Sequence, residues 1–84
     1  MAETRTIYRE LEMVAIPEDV SELGIKAGAM GTIATVYNDV WMLDVEVSRE
    51  VGVTIGFVDL KVSEDGSLSV VAYTPLEADR QSYK

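Results

Sequence analysis

With 84 residues, the chain has room for one small domain, and its hydrophobic fraction of 48% is enough to build a core. The formal net charge of −8 disfavours nucleic acid and membrane surfaces as partners, because both are bound through clustered Lys and Arg. Cysteine and histidine are absent, which excludes disulfides and thiolate zinc sites and removes the commonest general base.

The N-terminal residues 1–10 are polar and are predicted to form a flexible segment. They lack the apolar stretch of a secretory signal, and no apolar run approaches the ~18 residues that a membrane span needs. We therefore expect a cytoplasmic protein with no membrane partner.

The first predicted strand is Leu11 to Ile16, which ends at Pro17 because proline cannot donate to a ladder. A long polar connection follows. Within it, Val20 to Leu23 predicts a single helical turn that Gly24 closes.

The next two strands are predicted to form a hairpin. Thr32 to Tyr37 is rich in β-branched residues and ends at Asn38-Asp39, a two-residue step suited to a tight turn. From Trp41 to Ser48, apolar and polar residues alternate, which indicates an antiparallel strand with one buried face.

Two further strands complete the predicted set. Val53 to Val62 contains Gly56, which indicates a bulge or a sharp bend. After the turn sequence Glu64-Asp65-Gly66-Ser67, Leu68 to Tyr73 forms a short strand that stops before Pro75. Residues 75–84 are predicted to be a flexible tail.

Five short antiparallel strands must hide their edges, and closing into a barrel does so economically. The predicted fold is all-β: a five-stranded antiparallel SH3-like barrel formed by a single domain over residues 11–74. An OB-like barrel is the alternative, although that fold usually inserts a helix for which the sequence offers no candidate.

Three glycines precede the second strand in GIKAGAMGTIATVY, residues 24–37. A phosphate-binding loop would need a strand, then the glycines, then a helix, whereas these glycines lead into a strand. We interpret Gly24, Gly28 and Gly31 as sites of positive φ or of close backbone approach.

The run VAIPEDVSELGIKAGAMGTIATVY, residues 14–37, resembles the opening of a family of short bacterial proteins catalogued only as a domain of unknown function. The family pattern is roughly VAL-x-E-D-L-x-x-x-G-L-K-x-G-D-x-GTVV-x-VY, followed by a strand like YEVEF, to which residues 44–47 are similar. The glycine-to-strand portion is also similar to the KOW-type element of SH3-like barrels. Ala29 departs from the pattern, as does the C-terminal third.

The resemblance implies no activity, no cofactor and no catalytic residue. It implies a small partner protein of the antitoxin or immunity type, because members of the family resemble proteins found beside toxin-like genes.

Carboxylates offer one candidate site. Asp44 and Glu46 lie two apart on one strand, with Asp39 near them across the turn, so they could bind a hard cation. The favoured interpretation is a solvated face, since no acid-rich loop of recognised spacing is present. We expect no metal, no cofactor, no catalytic residue and no enzymatic activity.

The predicted function is a non-catalytic protein-binding module, whose acids in the first long loop steer a basic partner towards aromatic residues at the next turn. Trp41 also begins the apolar face of its strand, so a core position is its other interpretation. A nucleic-acid-binding KOW-like module and a self-associating structural accessory are the alternatives. The candidate partner-binding residues are Glu18, Asp19, Glu22, Tyr37 and Trp41.

Overall fold

The computed structural model describes residues 7–39, 41–50 and 52–76. The predicted flexible ends fall largely on residues 1–6 and 77–84, which lie outside the described residues. The described chain forms five strands and one short 3-10 turn, Ser21–Leu23, which confirms the predicted all-β class. The strands are β1 (Met13–Ala15), β2 (Met30–Tyr37), β3 (Met42–Glu50), β4 (Val53–Val62) and β5 (Leu68–Pro75).

The five strands form one sheet in the order β1-β2-β3-β4-β5, and each strand pairs antiparallel with the next in sequence. Within the described residues, no ladder joins β1 to β5, so these two strands are the edges of the sheet. No helix in this part of the chain is long and apolar enough to cross a bilayer.

One face of the sheet carries the core. The alternation predicted for β3 is confirmed, because Leu43, Val45 and Val47 are buried. Trp41 is half-buried and packs against the same cluster. The cluster is completed by residues from every other strand except β5 and from the segment that joins β1 to β2: Val14, Ile16, Val20, Leu23, Ile33, Val58, Leu60 and Val62.

The segment between β1 and β2 covers the open side of the core. The 3-10 turn buries Leu23 and ends at Gly24, whose φ of 73° is left-handed and whose N–H donates to Ser21 O, as the sequence predicted. Leu23 lies against Gly56 of β4. A Cβ added to Gly56 would stand 2.7 Å from Leu23 Cδ2 and 2.8 Å from Thr74 O, so the glycine permits a close approach of three elements.

The bounds of every strand except β4 differ from the prediction at one or both ends. Tyr37 pairs with Met42, so the β2-β3 connection spans 38–41 instead of the two residues Asn38-Asp39. Both of these residues do adopt positive φ, 60° and 58°. β5 includes Pro75 instead of stopping before it, because a proline is tolerated on an edge strand where its missing N–H would face away from the sheet.

Candidate functional site

An open groove of about 380 Å³ lies on the face of the sheet opposite the core. Residues that pair across a ladder project from the same face, and successive residues of a strand alternate between faces. The pairs Asp44-Asp59 and Phe57-Thr74 therefore share the outer face with Tyr37, which pairs with Met42. The groove is lined by these side chains from four strands: Tyr37, Asp44, Phe57, Asp59 and Thr74.

Two aspartates face each other at the centre of the groove. Asp44 on β3 is directly opposite Asp59 on β4. Burial raises the pKa of Asp44 above its ordinary value, and a hydrogen bond and charge repulsion from Asp59 raise it further. Like charges directly opposite each other destabilise a sheet, so this pair weakens the fold at neutral pH.

An aromatic ring stands beside the two carboxyl groups. Tyr37 is 40% exposed. Burial raises the pKa of its hydroxyl, and the charges of Asp59 and Asp44 act in the same direction. The groove thus combines a half-exposed phenol and the ring of Phe57 with two acids, an arrangement suited to a cation.

The three loop acids predicted as partner-binding residues lie elsewhere, and each accepts a hydrogen bond within the chain. Glu18 Oε2 accepts from Val70 N at 3.3 Å, and Asp19 Oδ1 accepts from Ala27 N at 2.8 Å. Glu22 accepts hydrogen bonds from backbone and from the Tyr73 hydroxyl, and these lower the pKa of Glu22. None of the three lines the groove, so of the predicted set only Tyr37 does.

Two of the carboxylates considered in the sequence as cation ligands, Asp44 and Glu46, share one face of β3. Glu46, however, accepts a hydrogen bond from the Thr54 hydroxyl. Within residues 7–39, 41–50 and 52–76, no group of three or more acids could hold a metal ion. Sequence reasoning missed Asp59, Phe57 and Thr74; the alternation of Phe57, Asp59 and Lys61 along β4 was the available indication.

Asp44→Asn is expected to stabilise the fold near neutral pH by about 0.5 kcal/mol, because it removes repulsion between opposed carboxylates. The pKa of Asp44 is raised by folding, so the folded state binds more protons than the unfolded state. The contribution of this group is fully present below its unfolded pKa and is lost as pH rises through the folded pKa. Urea unfolding from about pH 3 to about pH 7 should show the variant gaining on wild type as pH rises.

The matched control is Glu64→Gln, which removes one charge from an exposed residue in the β4-β5 turn. It should leave the pH dependence of wild type unchanged. A stability difference between Asp44→Asn and wild type that stays constant with pH would contradict the opposed-carboxylate account.

Comparison with known proteins identifies the family to which the chain belongs. The model of the family described as Domain of unknown function (DUF4926) matches residues 10–64, a range that contains β1 to β4. Comparison with curated proteins gave no match, and comparison with solved structures gave none. The matched range includes Tyr37, Asp44, Phe57 and Asp59 of the groove and leaves out Thr74. Because the match covers well over half of the 84 residues, the chain belongs to the family described as Domain of unknown function (DUF4926).

Proposed function

We propose that the chain is a non-catalytic protein-binding module whose outer-face groove receives an arginine side chain from a basic partner. The observation that carries this proposal is the pair of aspartates, Asp44 and Asp59, set opposite each other in one groove with Tyr37 and Phe57. A guanidinium between the two carboxylates replaces their repulsion with attraction. Its planar donors match a carboxylate, and its flat face stacks on an aromatic ring.

The spacing of the carboxyl groups supports binding over hydrolysis. Asp44 and Asp59 are close enough to hydrogen-bond to each other. The two carboxyl groups of a glycosidase stand about 5 Å or more apart, so that a sugar or a water fits between them. The opposed carboxyl groups of this groove leave no such gap, so we propose that their role is to bind a cation.

The charge of the chain supports a basic partner. A net charge of −8 steers association with a positively charged surface and raises the rate of encounter. The family resemblance adds the proposal that this partner is a toxin-like or regulatory protein in the cytoplasm. A toxin-like gene adjacent to the coding sequence would support that part.

Binding of N-acetylarginine amide, followed by amide chemical shifts, tests the groove directly. We expect shifts concentrated at Asp44, Phe57 and Asp59, and affinity that increases as pH rises through the raised pKa of Asp44, since the cation competes with a proton. The double variant Asp44→Asn, Asp59→Asn should lose these shifts. Glu64→Gln, which removes charge at an exposed turn, should keep them.

Equal shifts in wild type and in the double variant would contradict the proposal. Two rival functions have their own readouts. RNA added at low salt would shift the protein if the KOW-like alternative holds. A sedimentation mass well above 9.2 kDa would favour the self-associating alternative.

A further inference from the structure

The strand β5 is an edge of the sheet, and the direction of its backbone groups can be assigned. Leu76 N donates to Ile55 O at 3.1 Å, so the amide of Leu76 faces β4. Amides alternate in direction along a strand, so the amide of Tyr73 and the nitrogen of Pro75 face outward. Val70 N also faces outward, because it donates to Glu18 and because a bulge at Val71 shifts the alternation by one residue: Asp59 pairs with Ala72, but Leu60 pairs with Val70. The outward edge at 70–73 therefore presents backbone groups of the kind that pair with another strand.

The edge is protected at both ends, and the bulge at Val71 confines regular outward pairing in the middle to the residues around Tyr73. Glu18 Oε2 accepts a hydrogen bond from Val70 N at 3.3 Å, which is long for an N–H to oxygen hydrogen bond. Pro75 has no N–H to offer. Between them, Val71 is 51% exposed and Tyr73 is 40% exposed. The unprotected section is thus short and carries apolar side chains.

The edge is continuous with the groove. Thr74 of β5 lines the groove, and Ala72 of β5 is directly opposite Asp59. Strands in a sheet lie about 4.8 Å apart, so a strand added outside β5 would stand about 10 Å from β4. An extended arginine side chain together with an aspartate spans that gap, and the small, exposed side chain of Ala72 leaves the path across β5 open.

We propose that β5 accepts an extended segment of a basic partner as a sixth strand, and that an arginine of this segment crosses Ala72 to reach Asp59, the groove carboxylate opposite Asp44. This inference rests on the proposed function, because the added strand would carry the arginine that the groove receives. Charge complementarity selects the occupant: Glu18 and Glu22 flank the edge, and the chain carries a net charge of −8. The same charges oppose pairing of β5 with a second copy.

Peptide binding tests the proposal. The probe is a seven-residue peptide of alternating threonine and valine with a central arginine. One control has glutamine at the centre, and the other has alternate backbone amides N-methylated so that it cannot pair with an edge. We expect the arginine peptide to bind at least tenfold more tightly than N-acetylarginine amide and to slow hydrogen exchange at the Tyr73 amide. Both controls should lose that tenfold gain.

A matched pair of variants tests the path of the side chain. Ala72→Leu places bulk between the edge and Asp59, and it should remove most of the gain in peptide affinity. Ser69→Leu adds similar bulk to the outer face of the same strand, opposite Lys61, and should leave the gain intact. Equal affinity of the peptide for these two variants would overturn the crossing at Ala72.

The outcomes separate the two proposals. If N-acetylarginine amide binds the groove but the arginine peptide binds no more tightly, strand addition is overturned and the groove proposal stands. If neither binds, both are overturned. Slowed exchange at Tyr73 on raising the protein concentration without peptide would identify a second copy as the occupant, against this inference.

Discussion

Replacing Leu60 with alanine is expected to lower the free energy of unfolding by about 3 kcal/mol. Leu60 is fully buried in the C-terminal half of β4, opposite Leu43 on β3 and Val70 on β5. The deletion leaves a cavity that three strands border, and a sheet held by ladders on both sides cannot collapse to fill it. Urea unfolding monitored by the fluorescence of Trp41 gives the measurement, since this residue packs against the same core.

The control for this prediction is Val71→Ala on β5. Val71 is also apolar but 51% exposed, so its truncation should change stability by about 0.5 kcal/mol or less. Similar losses for the two variants would show that the core does not lie where the structure places it.

The Gly56→Ala variant is expected to lose about 2 to 3 kcal/mol of stability through overpacking. The added Cβ would stand 2.8 Å from Thr74 O and 3.2 Å from Pro75 Cα, both of which are backbone atoms of β5. The side chain of Leu23, 2.7 Å away, can rotate, but the backbone of a paired strand cannot move without loss of ladder hydrogen bonds. We expect the loss to appear in urea unfolding, together with faster hydrogen exchange along β5.

Gly24→Ala serves as the comparison, because the two glycines are constrained in different ways. An added Cβ at Gly24 meets nothing within 4 Å, but its φ of +73° is strained for alanine, which costs about 1 kcal/mol. Gly56→Ala should be the more damaging change. If Gly24→Ala were equally damaging, close packing of β4 against β5 would not be what selects glycine at position 56.

Period-two patterning was sufficient to predict the strands. The predicted bounds of β4, Val53 to Val62, are those observed, because its apolar alternation is bordered by turn sequences on both sides. β1 is shorter than predicted. Leu11 adopts a φ of 75°, outside the strand region, although Leu11 N still donates to Ile33 O. A positive φ at leucine has no local sequence signature, so this end of the strand could not be predicted.

The groove could not be predicted from local patterns, because it depends on register. A bulge between Ile33 and Thr35 sets which residues of β2 share a face with Asp44, and alternation alone does not reveal a bulge. The roles of the loop acids could not be predicted from local patterns either. Glu18 meets Val70 across 52 residues of sequence, so its role as a protector of the β5 edge follows only from the fold.

The meander order of the sheet has a consequence for how the chain reaches its structure. All four ladders join strands that are neighbours in sequence. The β2-β3, β3-β4 and β4-β5 pairs are linked by short turns, so each can form as a hairpin on a timescale of about 1 to 10 μs, whereas β1 pairs with β2 only when the connection 16–29 closes. Among the described residues, the long-range contacts include the Tyr8 hydroxyl donating to Gly66 O, and the approach of residues between β1 and β2 to β4 and β5. We therefore expect rapid zipping of hairpins, with docking of the 16–25 segment as the late step.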